Sequence, residues 1–209
     1  LFLVDNSGSM YDTTAGEATA DPKATRAYAA RGAAEDFLLS ITGSEDRVGL
    51  AAFNTRYKLL AAPAKDRKAV ARGLDGIGKP PLEEAYTELY AALEAASGEL
   101  AEAAGRKALV VLSDGVNYPY YKYAKALHPE YGTREFRADE ALEEALRDGV
   151  TIFAVNFGPE KDSELAAIAV QSGGEVFDAR DGAELGAVYR TIREQILSPL
   201  PQGTPQPPG

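Results

Sequence analysis

Asp5, Ser7 and Ser9 stand at alternate positions directly after an apolar stretch, Leu1-Phe2-Leu3-Val4. Gly8 lets the backbone turn between the serines, so three oxygen-bearing side chains can converge on one point. Oxygen-only ligation at a loop suits a hard cation such as Mg2+. The same residue types also make Asx and Ser turns that bind nothing, so the rest of the chain must supply further ligands. A second acid in a matching setting is Asp114, which follows the apolar run Lys107–Leu112 in Leu112-Ser113-Asp114-Gly115.

The elements that would position these groups follow from periodicity. From Lys23 to about Ile41, Ala27, Ala30, Ala34, Phe37 and Ile41 step along one helical face, and Gly43 stops the helix. Residues 47–53 read as a strand, with Tyr57–Leu60 pairing back across Asn54-Thr55. A short helix is expected over 65–75, and Pro80-Pro81 forbids helix in the turn that follows. Thr87 opens a helix whose buried stripe is Leu89, Leu93, Ala96 and Leu100. Residues 117–134 break the rhythm with Tyr118, Tyr120, Tyr121, Tyr123 and Tyr131 and the sole histidine, His128. Then come a helix over 135–148, a strand over 150–157 and a helix that Asp162-Ser163 caps, running to about Gln171. A short strand over 175–177 precedes a last helix, opened by a capping box of Asp181 and Glu184 and buried through Leu185, Val188, Ile192 and Ile196. Five prolines in the twelve residues from Ser198 describe a Pro-rich linker over 198–209.

Strand and helix alternate, and the central strands are unbroken apolar runs. That pattern predicts an α/β doubly wound, mostly parallel sheet with helices on both faces. Ligands of such sheets bind beyond the carboxyl ends of the strands, where strand order reverses. If the first strand and Lys107–Leu112 are neighbours, Asp5 and Asp114 face each other there.

The 209 residues carry 45% hydrophobic content, enough for one substantial core over 1–197. A net charge of -10 argues against nucleic acid or an anionic membrane surface as partner. No cysteine is present, which excludes disulfides and thiolate zinc sites. The apolar runs are strand-length, so no membrane insertion is expected. Residue 1 already lies in a strand, so the first strand reads as cut short and the chain as a monomeric piece of a larger protein.

The residues carry a resemblance. Asp5-Asn6-Ser7-Gly8-Ser9 after an apolar strand is similar to the DxSxS motif of von Willebrand factor A (VWA) domains. Thr87, in Ala85-Tyr86-Thr87-Glu88-Leu89-Tyr90, resembles that family's isolated threonine, and Ser113-Asp114-Gly115 its [ST]DG strand end. Asp46-Arg47-Val48-Gly49-Leu50 and the run Gly149–Val155 also resemble family phrases. The resemblance implies the Rossmann-like VWA fold of bacterial type and an intact metal-ion-dependent adhesion site (MIDAS). It further implies Mg2+, with Mn2+ or Ca2+ as substitutes, held by Asp5, Ser7, Ser9, Thr87 and Asp114. Ser7 and Ser9 would bind directly, Thr87 and Asp114 would alternate, and Asp5 would orient the serines. The partner would be a protein offering an Asp or Glu carboxylate, with Tyr118, Tyr120, Tyr121 and Tyr123 reading the surface around it. An extracellular or periplasmic setting is favoured over the cytoplasm.

Plainer readings stand beside these. Asp5 and Asp114 could be turn residues, Thr87 a helix N-cap, and the tyrosines simple loop packing. His128, before Pro129, reads as a surface histidine, and the acidic faces over 88–102 and 139–148 as solvated. The enzyme rival is a Mg2+-dependent phosphoryl-transfer hydrolase of haloacid-dehalogenase type. That motif needs a second aspartate where Ser7 stands, and a hydroxyl is a poor acid–base group at neutral pH. No Gly-rich phosphate loop follows a strand. A metal-free scaffold module is the third possibility.

Overall fold

The computed structural model describes residues 1–198. The linker expected over 198–209 therefore lies, apart from Ser198, outside the described residues. Six strands form one sheet: β1 (Phe2–Asp5), β2 (Val48–Phe53), β3 (Tyr57–Ala64), β4 (Lys107–Ser113), β5 (Val150–Asn156) and β6 (Val176–Asp178), in the order β3-β2-β1-β4-β5-β6. All neighbours are parallel except β2 and β3. The helices are α1 (Arg26–Ser40), α2 (Arg67–Arg72), α3 (Leu89–Leu100), α4 (Tyr120–Ala124), α5 (Ala138–Asp148), α6 (Ser163–Gln171) and α7 (Gly182–Leu197).

The apolar runs are continuous because both faces of the sheet are covered. Phe2 and Val4 join Val110, Leu112 and Phe153 in one core, beneath α1 and α7. Leu3, Leu109, Val111 and Ile152 belong to the opposite core, beneath α3, α5 and α6. Strand side chains alternate between faces, so a centrally placed strand must be apolar at every position. Each such side chain, fully buried, contributes about 1.5–3 kcal/mol. In the first core Phe2, Phe37 and Tyr189 pack as three rings, with centroids 5.2–5.6 Å apart.

The chain builds from β1 out to β3, returns to β4, and builds outwards the other way. Strand order therefore reverses between β1 and β4, which pair in register (Phe2↔Val110, Val4↔Leu112). The carboxyl ends of these two strands hold Asp5 and Asp114 side by side in the fold, as the alternation implied.

Boundaries shift where local chemistry competes. Pro22–Ala24 form a separate 3-10 turn opened by Asp21, and Thr25 caps α1 by accepting from the Tyr28 amide at 3.2 Å. The first helix thus starts at Arg26, not Lys23. β3 continues to Ala64, and α5 begins at Ala138 rather than 135. Asp162 caps α6 as expected, accepting from the Glu164 and Leu165 amides. Asp181 caps α7, but Glu184 reaches back to the Arg180 amide at 2.8 Å, one residue earlier than a capping box requires. Among the described residues no helix is long and apolar enough to cross a membrane.

Candidate functional site

The turn after β1 folds around Asp5, which is 1% exposed. One carboxylate oxygen accepts from the Ser7 amide at 2.8 Å and the other from the Ser113 hydroxyl at 2.7 Å. This double grip fixes where the turn points. Ser7 Oγ and Ser9 Oγ lie 3.1 Å apart, and the Ser9 hydroxyl donates to Asp114 Oδ1 at 2.8 Å. Ser7, Ser9 and Asp114 thus form one run of side-chain oxygens from the turn after β1 to the end of β4, and Asp5 grips that turn through the Ser7 amide.

Two glycines allow the close packing. Gly8 donates its amide to the Ala85 carbonyl at 2.9 Å, and a Cβ there would meet the Ala85 side chain at 3.0 Å. A Cβ on Gly158, just after β5, would overlap the Asp114 carbonyl oxygen. Any side chain at Gly158 would push Asp114 out of place.

Thr87 lies two residues after Ala85, in a backbone bridge with Tyr118. It is buried. The N-cap alternative for Thr87 is corrected: Glu88 occupies that position, and Asn117 Oδ1 accepts from the Leu89 amide at 2.9 Å. Thr87 is therefore free of a capping duty.

Sequence reasoning missed Arg26. It is 2% exposed, its Nη1 pairs with Asp114 Oδ2 and donates to the Ser9 carbonyl at 3.1 Å, and its Nε donates to the Thr13 carbonyl at 2.9 Å. The available signal was positional: Arg26 shares the buried stripe of α1 with Ala30, Ala34 and Phe37, where a charge is out of character.

The electrostatics follow from burial. Asp5 is pushed up to about 7, first by desolvation and then by the neighbouring Asp114 charge, against the hydrogen bonds from Ser7 and Ser113. Asp114 is also raised by desolvation, with Arg26 as the main opposing influence. Among the described residues no group of three or more His, Cys, Asp or Glu side chains could hold a metal ion. A cation here must rest on hydroxyls as well as carboxylates.

The Tyr-rich segment borders the site through the Thr87–Tyr118 bridge. Tyr118 and Tyr123 stack with centroids 3.7 Å apart and are 45% and 41% exposed, whereas Tyr120 and Tyr121 are half-buried. Tyr120 packs edge-on against Tyr86 and against His128. His128 is not a surface residue: it is 4% exposed, with Nε2 2.7 Å from the Thr55 carbonyl. Its Nδ1 accepts from the Glu130 and Tyr131 amides, so the ring proton of the neutral form sits on Nε2. Glu88 also departs from the solvated face expected of it, being buried and accepting from the Tyr120 amide at 2.6 Å.

Comparison with known proteins bears on the family and the fold. A UPF0353 protein of Mycobacterium avium is 27% identical over 217 residues, covering 94% of this chain and 60% of its own length. The chain thus spans about three fifths of the length of such curated relatives. Two solved structures share the fold at 15% identity and a TM-score of 0.69. An aerotolerance-related membrane protein from Bacteroides fragilis is matched over 93% of this chain and 96% of that one. A mutant of the PilB minor pilin from Streptococcus sanguinis is matched over 93% and 60%. The model of the von Willebrand factor type A domain matches residues 1–117, more than half of the sequence, and the chain belongs to that family.

Proposed function

We propose that this domain is a protein-interaction module, not an enzyme, that grips a partner's Asp or Glu side chain through a divalent cation. Asp5, Ser7, Ser9, Thr87 and Asp114 would hold that cation. The observation that carries the reading is the run Ser7 Oγ, Ser9 Oγ, Asp114 Oδ1, spaced 3.1 and 2.8 Å. Adjacent ligand oxygens around Mg2+ at bond lengths of about 2.0–2.1 Å in an octahedron lie about 2.9 Å apart. The side chains already stand at that spacing, and all their donors are hard oxygens. Asp5 acts behind them, orienting the turn from beneath, and Thr87, which does not cap α3, would serve as a further ligand.

Charge supports the same conclusion. With both carboxylates ionised, Asp5, Asp114 and Arg26 sum to one negative charge, and a dication would reverse that sign. A bound Mg2+ supplies an open coordination position and a net positive centre, both suited to an external carboxylate. A nucleophilic role for Asp5 finds less support, because both of its oxygens accept hydrogen bonds and it is buried. A pilus-protein relative in fold accords with an extracellular or periplasmic setting, within a larger protein.

One observation favours the metal-free reading: Arg26 already neutralises Asp114 from within. Thermal unfolding separates the two. A ligand of the folded state alone stabilises it by about 2.7 kcal/mol at a hundredfold excess over its dissociation constant. The melting temperature should rise with Mg2+ and fall with EDTA, and Asp5→Ala and Ser9→Ala should each diminish the rise. An equal rise in both variants contradicts the assignment, and no rise in the wild type leaves Arg26 as the sole counter-ion.

A further inference from the structure

A groove of about 450 Å3 opens beside the Ser7–Ser9 turn, and its wall includes Asn6, Arg56, Lys58, Lys79, Pro80 and Glu84. Asn6, between Asp5 and Ser7, donates to the Gly78 carbonyl at 3.0 Å and accepts from the Tyr11 hydroxyl at 2.7 Å. The turn that carries the site oxygens is therefore also part of the groove. On a chain of net charge -10, this wall gathers three cations against one acid. Arg56 is held in place by Glu84 at 3.5 Å and Glu130 at 3.0 Å. Lys58 and Lys79 are exposed and have no carboxylate within ion-pair distance among the described residues. The Lys79 ammonium lies 5.8 Å from the Tyr11 ring centroid, on the side of the site.

We propose that this groove receives an acidic, extended segment of a partner protein. One carboxylate of that segment goes to the cation of the candidate site, and those further along meet Lys58 and Lys79. The proposal rests on the cation-dependent reading and adds the partner's chemistry to it. In an extended chain residues two apart face the same way, about 7 Å from each other. A polypeptide with acids at alternate positions thus presents a row of carboxylates along a groove that begins at the metal-bearing turn. A basic strip on an acidic body selects such a segment and repels the many neutral or basic ones. Two unpaired lysines on a body of net charge -10 make a poor track for a nucleic-acid backbone, which needs neutralisation at many phosphates.

The test uses fluorescence anisotropy with a labelled peptide of alternating Asp and Gly, and its alternating Asn and Gly counterpart as control. The wild type should bind the acidic peptide in Mg2+ and not the amide control. The double variant Lys58→Gln, Lys79→Gln should bind at least about tenfold more weakly, with a shallower salt dependence. Its Mg2+-dependent melting shift should equal that of the wild type. If the double variant binds as tightly as the wild type while EDTA releases the peptide, the groove proposal falls and the cation reading stands. If binding depends on the lysines but survives EDTA and Asp5→Ala, the groove stands and the cation grip falls. Binding of neither peptide, or equal displacement by a single-stranded oligonucleotide, overturns the proposal.

Discussion

The turn after β1 and the segment between β4 and α5 meet at the same carboxyl end of the sheet, yet they are held differently. The turn is small and gripped at nearly every residue: Asp5 holds the Ser7 amide and the Ser113 hydroxyl, Gly8 meets the Ala85 carbonyl, and Arg26 reaches the Ser9 carbonyl. The Tyr-rich segment is longer and pinned at a few points, by its own buried His128 reaching Thr55 and the Glu130 and Tyr131 amides and by Glu88 accepting from the Tyr120 amide. Where the two meet, Asp114 is anchored by Arg26 from a third element. On the proposed reading, the turn would hold the ion and the Tyr-rich segment would vary with the partner. Thr87 joins them, because it pairs with Tyr118 and follows the Ala85 carbonyl that holds Gly8.

The largest effect should come from Arg26. Arg26→Met leaves Asp114 buried without its counter-ion, and breaking a buried pair costs about 3–5 kcal/mol. Denaturant unfolding in EDTA should show that loss, while excess Mg2+ should recover more stability than it adds to the wild type. Equal Mg2+ gains in both proteins would place the cation away from Asp114.

Next is His128→Ala, which strands the Thr55 carbonyl and two amides at about 1–3 kcal/mol for each buried group left unsatisfied. Hydrogen exchange over residues 116–137 should accelerate, and the Mg2+-dependent melting shift should persist. Loss of that shift would mean the two regions form a single unit.

Gly158→Ala should cost about 1–3 kcal/mol as an overpacked contact and should also weaken the Mg2+ shift, because the new methyl displaces Asp114. A stability loss with the shift intact would detach the position of Asp114 from cation binding.

The last effect is read as a slope rather than a single loss: the pH response of the metal-free protein. Burial, with the neighbouring Asp114 charge, pushes the folded Asp5 carboxyl up to about 7, above the ordinary 3.8 that it regains on unfolding. The folded state therefore binds the extra proton across this window, and stability should fall as pH rises through it. Asp5→Asn should flatten that slope. Mg2+ should flatten it too, since a bound dication favours the ionised carboxylate and its binding then releases a proton. A slope unchanged in Asp5→Asn would assign the titration elsewhere.

Much of this was legible in the sequence because strand ends convert spacing into position. Buried strands ending in Asp5 and Asp114 bring the two acids together if the strands are neighbours, and the pairing of β1 with β4 meets that condition. Ser7 and Ser9 follow from alternation in the turn. His128 and Glu88 were not legible, since each is a polar residue buried by a partner distant in sequence, and Arg26 showed only by its place on the buried stripe of α1. Local pattern reads such residues as solvated: Glu88 sat in an acidic run, and His128 beside a proline. The short α4 escaped for a related reason, as five residues give no measurable period.

The central claim is that the oxygens of Ser7, Ser9 and Asp114 hold a divalent cation. Anomalous scattering from crystals grown with excess Mn2+ tests it most directly. The account predicts one Mn2+ within bonding distance of both serine hydroxyls, beside Asp114. Absence of a peak there, with Arg26 still paired to Asp114, would contradict it.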